Sequence, residues 1–331
     1  MKILHSAIVS PHACGLYETS RELVAAERDL GHDARIMDPN ARHSDRGVPV
    51  TGCDEFLSQC DVIVSHSGLS KQMLASGKPV VQVRHGRPRS TFLIESAGEG
   101  AIYTYVRNAR KDKQSVAWVT FWPEHKAYWE LLLEREVHVI APPVDLKVWT
   151  PEGPTGYDFH GQKGAVNVVV SDMWRKDETP FDVINAFAVF AKTCVGAKLH
   201  IYGTVKDVKP LPALLAPLKE RGWLGEMPGH VTGLANVYRA ADMLITPHRI
   251  ATRTVREALA CGCQVVMGGG KFTPYVGHPE DVTAFAEQMH VAACDRGDAG
   301  GRIRKNRQTA ADCFDSLKSA AQLVEIILGA I

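Results

Sequence analysis

Apolar residues fall along the chain in two alternating rhythms: short continuous runs, and longer stretches with a helical period. Lys2 to Val9 is the first run and predicts a strand. Leu23, Ala26 and Leu30 then mark one face of a helix from about Tyr17 to Leu30. Gly31-His32 closes that helix, and Ala34 to Met37 is the next strand. Strand-like runs recur at Val62 to Ser65, Pro79 to Val83, Ala101 to Tyr105, Ala117 to Thr120 and Val137 to Ile140. Helices over Asp54 to Cys60, Lys71 to Ser76 and Glu124 to Glu134 lie among them. Such alternation predicts an α/β fold with parallel sheets. The run Ala141-Pro142-Pro143-Val144-Asp145 breaks the rhythm, and prolines and glycines continue to Gly164, which marks a domain boundary.

The second half repeats the pattern. Asn167 to Ser171 and Lys198 to Tyr202 read as strands, and His230 to Gly233 as a short strand and turn. Phe181 to Lys192, Leu211 to Arg221, Ala235 to Ala240 and Asp281 to His290 read as helices, and a last helix runs from Arg302 to the end with Ala320, Leu323, Ile326 and Ile327 on its apolar face. The most informative stretch runs from Ala241 to Gly270. The strand Met243 to Thr246 stops at Pro247, which cannot donate to a ladder. A polar loop leads into a short helix carrying Val255, Ala258, Leu259 and Ala260, Gly262 stops it, and Gln264 to Met267 is the next strand. Gly268-Gly269-Gly270 offers a backbone that can approach a ligand closely. Loops after the strands of an open parallel sheet face the ligand crevice, so Arg249, Thr252, Arg253, Thr254 and Glu257 lie where a small anionic molecule would bind. The plainer reading is a solvated loop and an exposed first helical turn.

Composition narrows the classes. The chain has 331 residues, enough for two domains, with 45% hydrophobic and 23% charged residues, a soluble globular balance. A net charge of +1 gives no bulk field toward nucleic acid or membrane. No apolar run reaches the roughly 18 residues of a membrane span, and the first ten residues turn polar too soon for a secretory signal. The 8 cysteines form no CxxC pair and read as reduced thiols of a cytoplasmic protein. The first strand-to-helix turn holds Gly15 but no GxGxxG, so the dinucleotide fingerprint is absent.

Four local patterns, in order along nearly the whole chain, resemble GT-B glycosyltransferases of family 4. They are Gly15 followed by Leu30-Gly31-His32; Val139-Ile140-Ala141-Pro142-Pro143-Val144-Asp145 with Trp149 and Pro151; Tyr238, Ala241-Asp242 and Pro247; and Glu257-Ala258-Leu259-Ala260-Cys261-Gly262 with Val265-Val266 and the glycine run. The resemblance implies two Rossmann-like parallel-sheet domains facing each other across a cleft. The acceptor-binding domain would span 1–145, the nucleotide-sugar-binding domain 146–305, and a helix at 306–331 would brace the first domain. It implies transfer of a sugar from a nucleoside diphosphate sugar, a UDP-sugar above all, to a hydroxyl acceptor, with retained configuration. No metal or other cofactor is required, because basic side chains and helix N-termini can hold the diphosphate.

Residue by residue, the resemblance makes Glu257 the carboxylate that grips the nucleotide ribose, which is otherwise an ordinary first-turn glutamate. It makes Arg175 and Lys176 the neutralisers of the leaving diphosphate, and His85, in His85-Gly86, the histidine that approaches the donor sugar; His66 is a weaker candidate. Gly15, Gly203, Thr232 and Gly233 would meet diphosphate or base through backbone groups. The family often carries a second glutamate eight positions before the first. Here that position is Arg249, which offers donors only, so it faces an anion or the sugar is held differently. Arg84, Arg87, Arg89, Arg107, Arg110, Lys111 and Lys113 gather in the first half, with Trp118, Phe121, Trp122, Tyr128 and Trp129 just downstream. They fit an anionic acceptor such as a hydroxymethylated DNA base, or else a solvated face and a core. A non-catalytic sugar-nucleotide binder is the alternative that Arg249 motivates. A GT-B epimerase or phosphorylase is a third reading, although no lysine motif for pyridoxal phosphate is evident.

Overall fold

The short apolar runs become the strands of two parallel sheets in the computed structural model, which describes residues 1–7, 15–37, 44–45, 47–66, 69–86, 106–172, 180–203 and 211–331. In the first half these are β1 (Lys2–Ser6), β2 (Asp33–Met37), β3 (Ser44–Asp45), β4 (Val48–Thr51), β5 (Val62–Ser65), β6 (Val80–Arg84), β7 (Ser115–Thr120) and β8 (His138–Val139). Their order is β3-β4-β2-β1-β5-β6-β7-β8, and only the β3–β4 pair is antiparallel. β1 is central and fully buried at Ile3 and Leu4, with Ile3 opposite Ala34 on one side and Val62 on the other. Strand order therefore reverses at β1, where a doubly wound sheet opens a crevice. The β3–β4 hairpin was not expected; its valines alternate with proline and polar residues over too short a run to register as a strand. The expected strand over Ala101 to Tyr105 lies outside the described residues.

The helices of this half are α1 (Gly15–Asp29), α2 (Cys53–Leu57), α3 (Lys71–Ala75) and α4 (Pro123–Leu133). α1 departs from the simple apolar face expected of it. Leu23 and Ala26 are buried, but Leu30 is exposed, and Glu18, Ser20, Arg21, Glu22 and Glu27 are buried with the apolar positions. The reason is that α1 is covered from two directions, by its own sheet and by the last helix of the chain.

In the second half β9 (Val166–Val170), β10 (Ala197–Ile201), β11 (Met243–Thr246) and β12 (Gln264–Met267) pair in parallel in the order β10-β9-β11-β12. α5 (Phe181–Ala191), α6 (Leu211–Glu220), α7 (Leu234–Ala240), α8 (Arg253–Ala260), α9 (Val282–Cys294) and α10 (Ala299–Phe314) surround them. Val168, Leu199, Met243, Phe187, Phe190 and Phe285 form the core of this sheet and its helices. His230 to Gly233 is not a strand. The strand-like edge lies just before it, where Leu199, Ile201 and Gly203 donate their amides to the carbonyls of Trp223, Glu226 and Gly229 at 2.8, 2.9 and 2.9 Å. α8 ends as its sequence demands: Gly262 takes φ +81°, and a Cβ there would come within 2.8 Å of Ile303.

Contacts divide the chain into Met1–Asp145 with Phe314–Ile331, and Leu146–Cys313. The helix expected from Arg302 onward is therefore two. α10 stays with the second unit, and α11 (Ser316–Ala330) belongs to the first, so the returning segment starts at 314 rather than 306. The break is at Asp315, whose carboxylate accepts the Leu317 amide at 3.0 Å and caps α11. Val144 anchors the return, donating to the Phe314 carbonyl at 2.6 Å and accepting from the Ser316 amide at 3.2 Å. Among the described residues Cys60, Cys261, Cys263 and Cys294 are free thiols, and no helix is long and apolar enough to cross a membrane.

One buried histidine ties the second unit's stability to pH. His200 on β10 stacks on Phe159 with ring centroids 4.1 Å apart. Its Nδ1 accepts the Glu226 amide at 3.3 Å and its Nε2–H donates to Asn167 Oδ1 at 3.1 Å, an arrangement that only the neutral ring satisfies. Burial, and secondarily Lys198, lowers the His200 pKa to about 3. The unfolded chain takes up a proton near pH 6.5 while the folded one does not, so stability present above that pH is lost as pH falls toward 3. Urea unfolding between pH 7 and pH 4 is expected to show this decline, with a shallower slope in His200→Gln.

Candidate functional site

All four strands of the second sheet point the same way, so the segments leaving them gather at one edge. β9 delivers Ser171 and Asp172, β10 delivers Tyr202 and Gly203, β11 delivers the loop from Pro247 to Thr252, and β12 delivers Gly268 to Gly270. The organising group is the buried Asp172 carboxylate, which the sequence reading missed. Its Oδ2 accepts the Thr246 hydroxyl at 2.8 Å and its Oδ1 accepts the Thr254 hydroxyl at 3.2 Å, while His248 Nε2 lies 3.7 Å away. Thr254 and Thr252 are themselves linked at 3.1 Å. Asp172 thus ties the end of β9 to both ends of the β11–α8 loop. Its signal in the sequence was a carboxylate two positions past a run of three valines.

The β11–α8 loop carries most of the expected anion-binding residues. Arg249 is exposed, while Thr252, Arg253 and Thr254 are half-buried around the first turn of α8. Glu257, one turn on, is nearly buried and accepts from Arg253 Nε at 2.5 Å. The neighbouring Tyr238 hydroxyl meets Ser171 Oγ at 2.8 Å. Burial, and then the Glu257 carboxylate, pushes the Tyr238 phenol well above its ordinary range.

The run Gly268 to Gly270 seats the loop: a Cβ at Gly268 would stand 2.2 Å from the Pro247 carbonyl oxygen, and one at Gly269 would stand 2.9 Å from Arg249 Cγ. Close approach is therefore made to the protein's own β11–α8 loop. Gly203 has the same kind of neighbour, since a Cβ there would lie 2.9 Å from the Asp172 carbonyl oxygen. Thr232 and Gly233 are exposed, and Gly233 starts α7. Arg175 and Lys176 lie outside the described residues.

In the first unit, Gly15 is exposed as the first residue of α1. His66 and His85 leave the ends of β5 and β6, and they hydrogen-bond through His66 Nδ1 and His85 Nε2 at 2.7 Å. His85 also lies edge-on to Phe121, and its carbonyl accepts the Trp122 indole N–H at 3.4 Å. The expected basic and aromatic acceptor face is largely structural. Trp118, Phe121, Trp122 and Trp129 are buried, leaving Tyr128 exposed. The Arg84 guanidinium packs over the Trp118 ring at 4.8 Å, and Arg110 pairs with Glu134 at 2.8 Å. Arg107, Lys111 and Lys113 are exposed, and Arg87 and Arg89 lie outside the described residues. Among the described residues no cluster of three or more His, Cys, Asp or Glu side chains is arranged to hold a metal ion.

Replacing Gly268 with alanine forces a methyl group against a backbone carbonyl that has no rotamer to yield. Gly268→Ala is expected to lower stability by about 1–3 kcal/mol in urea unfolding.

No protein-family profile and no curated protein sequence matches the chain. Solved structures do. Anabaena HepE, in complex with UDP and glucose, superposes with a TM-score of 0.75 at 16% identity, covering 100% of both chains. WaaG, a glycosyltransferase involved in lipopolysaccharide biosynthesis, gives 0.70 at 14% identity over 99% of this chain and 100% of its own. An α-glucosyltransferase in complex with UDP and a 13-mer DNA gives 0.65 at 13% identity over 99% and 100%. The chain therefore has the GT-B fold of these glycosyltransferases, with two parallel-sheet units and a last helix that returns to the first.

Proposed function

We propose that the chain is a glycosyltransferase that moves a sugar from a nucleoside diphosphate sugar, a UDP-sugar foremost, to a hydroxyl acceptor with retained configuration. The observation that carries this reading is the edge of the second sheet. There an exposed arginine, the opening turn of α8 and a nearly buried glutamate sit on one loop held by Asp172 and the glycine run. Backbone amides at a helix start together with guanidinium groups suit a diphosphate, and a carboxylate suits two ribose hydroxyls because it only accepts. Glu257 is the ribose acceptor in this reading, and Arg253 holds it in place. Arg249 faces the diphosphate, with Arg175 and Lys176 as further neutralising charges. Gly203, Thr232 and Gly233 border the nucleotide. Charge that grows on the leaving diphosphate is met by cations already in place, so no metal is needed.

The first unit supplies His85 toward the reacting sugar, with Gly15 beside the diphosphate, and it binds the acceptor. The acceptor class is a hydroxyl compound, and a hydroxymethylated DNA base is the anionic candidate. One of the structural neighbours is an α-glucosyltransferase with bound DNA, and Arg107, Lys111 and Lys113 are exposed. The substitution of Arg249 for a sugar-binding carboxylate favours a second reading, a non-catalytic sugar-nucleotide binder.

Nucleoside diphosphate release from UDP-, GDP-, ADP- and dTDP-sugars separates these readings, each donor run alone, with simple sugars and with hydroxymethylated DNA. Release with one donor is the expected result; tight nucleotide binding with no release from any donor would establish the binder. In calorimetry with UDP, Glu257→Ala is expected to lose about 2 kcal/mol, roughly thirtyfold in Kd. Unchanged affinity would remove Glu257 from the nucleotide site.

A further inference from the structure

α8 opens on a threonine that does not cap it. Thr252 has the backbone of an N-cap residue: its dihedrals, φ −53° and ψ 171°, are not helical, and its carbonyl accepts the Arg256 amide at 3.1 Å. A threonine in this position ordinarily turns its hydroxyl oxygen to the amide two or three residues on. The Thr252 side chain makes no such bond. Its oxygen lies instead 3.1 Å from Thr254 Oγ1.

Proton counting explains the diversion. Asp172, nearly fully buried at the end of β9, accepts the Thr246 hydroxyl at 2.8 Å and the Thr254 hydroxyl at 3.2 Å. A hydroxyl carries one proton. Thr254 gives its proton to Asp172, so toward Thr252 it can only accept, and Thr252 donates to it. That bond holds the Thr252 side chain in a rotamer that leaves α8 uncapped. The two threonines expected to meet an anion thus direct their hydroxyl protons along a chain that ends on Asp172. A carboxylate at an edge proposed to hold a diphosphate weakens binding by repulsion, so Asp172 calls for a compensating role.

We infer that Asp172 is a positioning residue for nucleotide binding: through Thr254 it holds the Thr252 hydroxyl off the first amides of α8 and keeps those amides for the phosphates. The inference rests on the diphosphate reading of this edge, while the chain from Asp172 to Thr252 stands on its distances. A capped helix start must break its own hydrogen bond before it meets a phosphate, and that step lowers affinity. With Thr252 held aside, the opening turn meets the phosphates already uncapped. The arrangement forgoes the stability of a cap, as binding sites do when function needs a group left unsatisfied. Asp172 need not touch the nucleotide; it acts through Thr254 and Thr252.

Thr254→Val keeps the volume and removes the hydroxyl, so Thr252 loses its acceptor and is expected to turn and cap α8. In calorimetry with UDP on the full chain, this variant is expected to bind about fivefold more weakly than wild type, the factor that a typical cap represents. The double variant Thr252→Ala/Thr254→Val has no hydroxyl to cap with and is expected to regain most of that loss. A purely structural role for Thr254, or repulsion from an Asp172 deprived of a donor, would leave the double variant as weak as the single one. That result, or wild-type affinity in Thr254→Val, overturns the inference. Amide exchange without nucleotide reads the hydroxyl directly: the amides at 254 and 255 are expected to exchange about fivefold more slowly in Thr254→Val than in wild type, and the double variant to lose that protection. Equal exchange in all three chains overturns the diversion. If Thr254→Val does not fold, wild type decides: UDP is expected to slow exchange at these two amides, and no slowing overturns their reservation for phosphate. Should wild type bind none of UDP, GDP, ADP and dTDP, the transferase reading fails and the phosphate half of this inference fails with it, while exchange alone settles where the Thr252 hydroxyl points.

Discussion

Parallel pairing gives each sheet a single edge at which strands end, and the chemistry of the molecule depends on that constraint. Side chains inside β1, β5, β9 and β11 are committed to cores that admit almost no water. Polar groups must collect where the strands stop, and those groups must satisfy one another there. Both units meet this demand with a buried carboxylate. Asp172 accepts two threonine hydroxyls and so fixes a loop, whereas Glu27 meets the His5 ring at 2.7 Å and so joins α1 to β1. The same element of physics, a desolvated polar group that needs a partner, ties helix or loop to strand in both units.

Much of this fold was legible because burial in a parallel sheet writes itself as continuous apolar runs. Met243–Thr246 ends at Pro247 and Gln264–Met267 follows Gly262, as their residues imply. Elements whose stability comes from a partner were less visible. Asp315 looks like any polar residue in a helical run, yet its capping bond and the Val144 anchor split the last helix in two. His230 to Gly233 has strand-like residues, but the edge of β10 is already occupied by the segment from Trp223 to Gly229.

The strand, loop and helix that carry the candidate site were legible, and their wiring was less so. The β11–α8 loop declared itself through Arg249, Thr252 and Glu257, while Asp172, His5 and Glu27 did not. Periodicity reports how often a position faces a core; it is silent on whether a polar residue facing that core has found a donor. Glu27 lies one turn after Leu23 on the same face of α1, and the packing of α11 on α1 together with the His5 contact buries it. The aromatic group from Trp118 to Trp129 misled in the opposite sense. Basic residues beside aromatic ones suggest a nucleic-acid surface, but Arg84 spends its charge over the Trp118 ring inside the protein.

Arg249 then becomes intelligible through its support rather than through its charge. Gly269 leaves room for the aliphatic stem of Arg249, and Gly270 lies against its carbonyl, so the stem is seated while the residue remains exposed. A carboxylate at this position would add a second negative charge to a loop that Asp172 already anchors, and would repel a diphosphate. A guanidinium on a seated stem does the opposite: its planar donors are held ready for phosphate oxygens with little side-chain freedom left to lose. In the transferase reading proposed above, an arginine at 249 places the binding strength of this edge on the diphosphate rather than the sugar. That reading leaves discrimination among sugars to other parts of the chain, and it expects a donor set strict in its nucleotide and tolerant in its sugar.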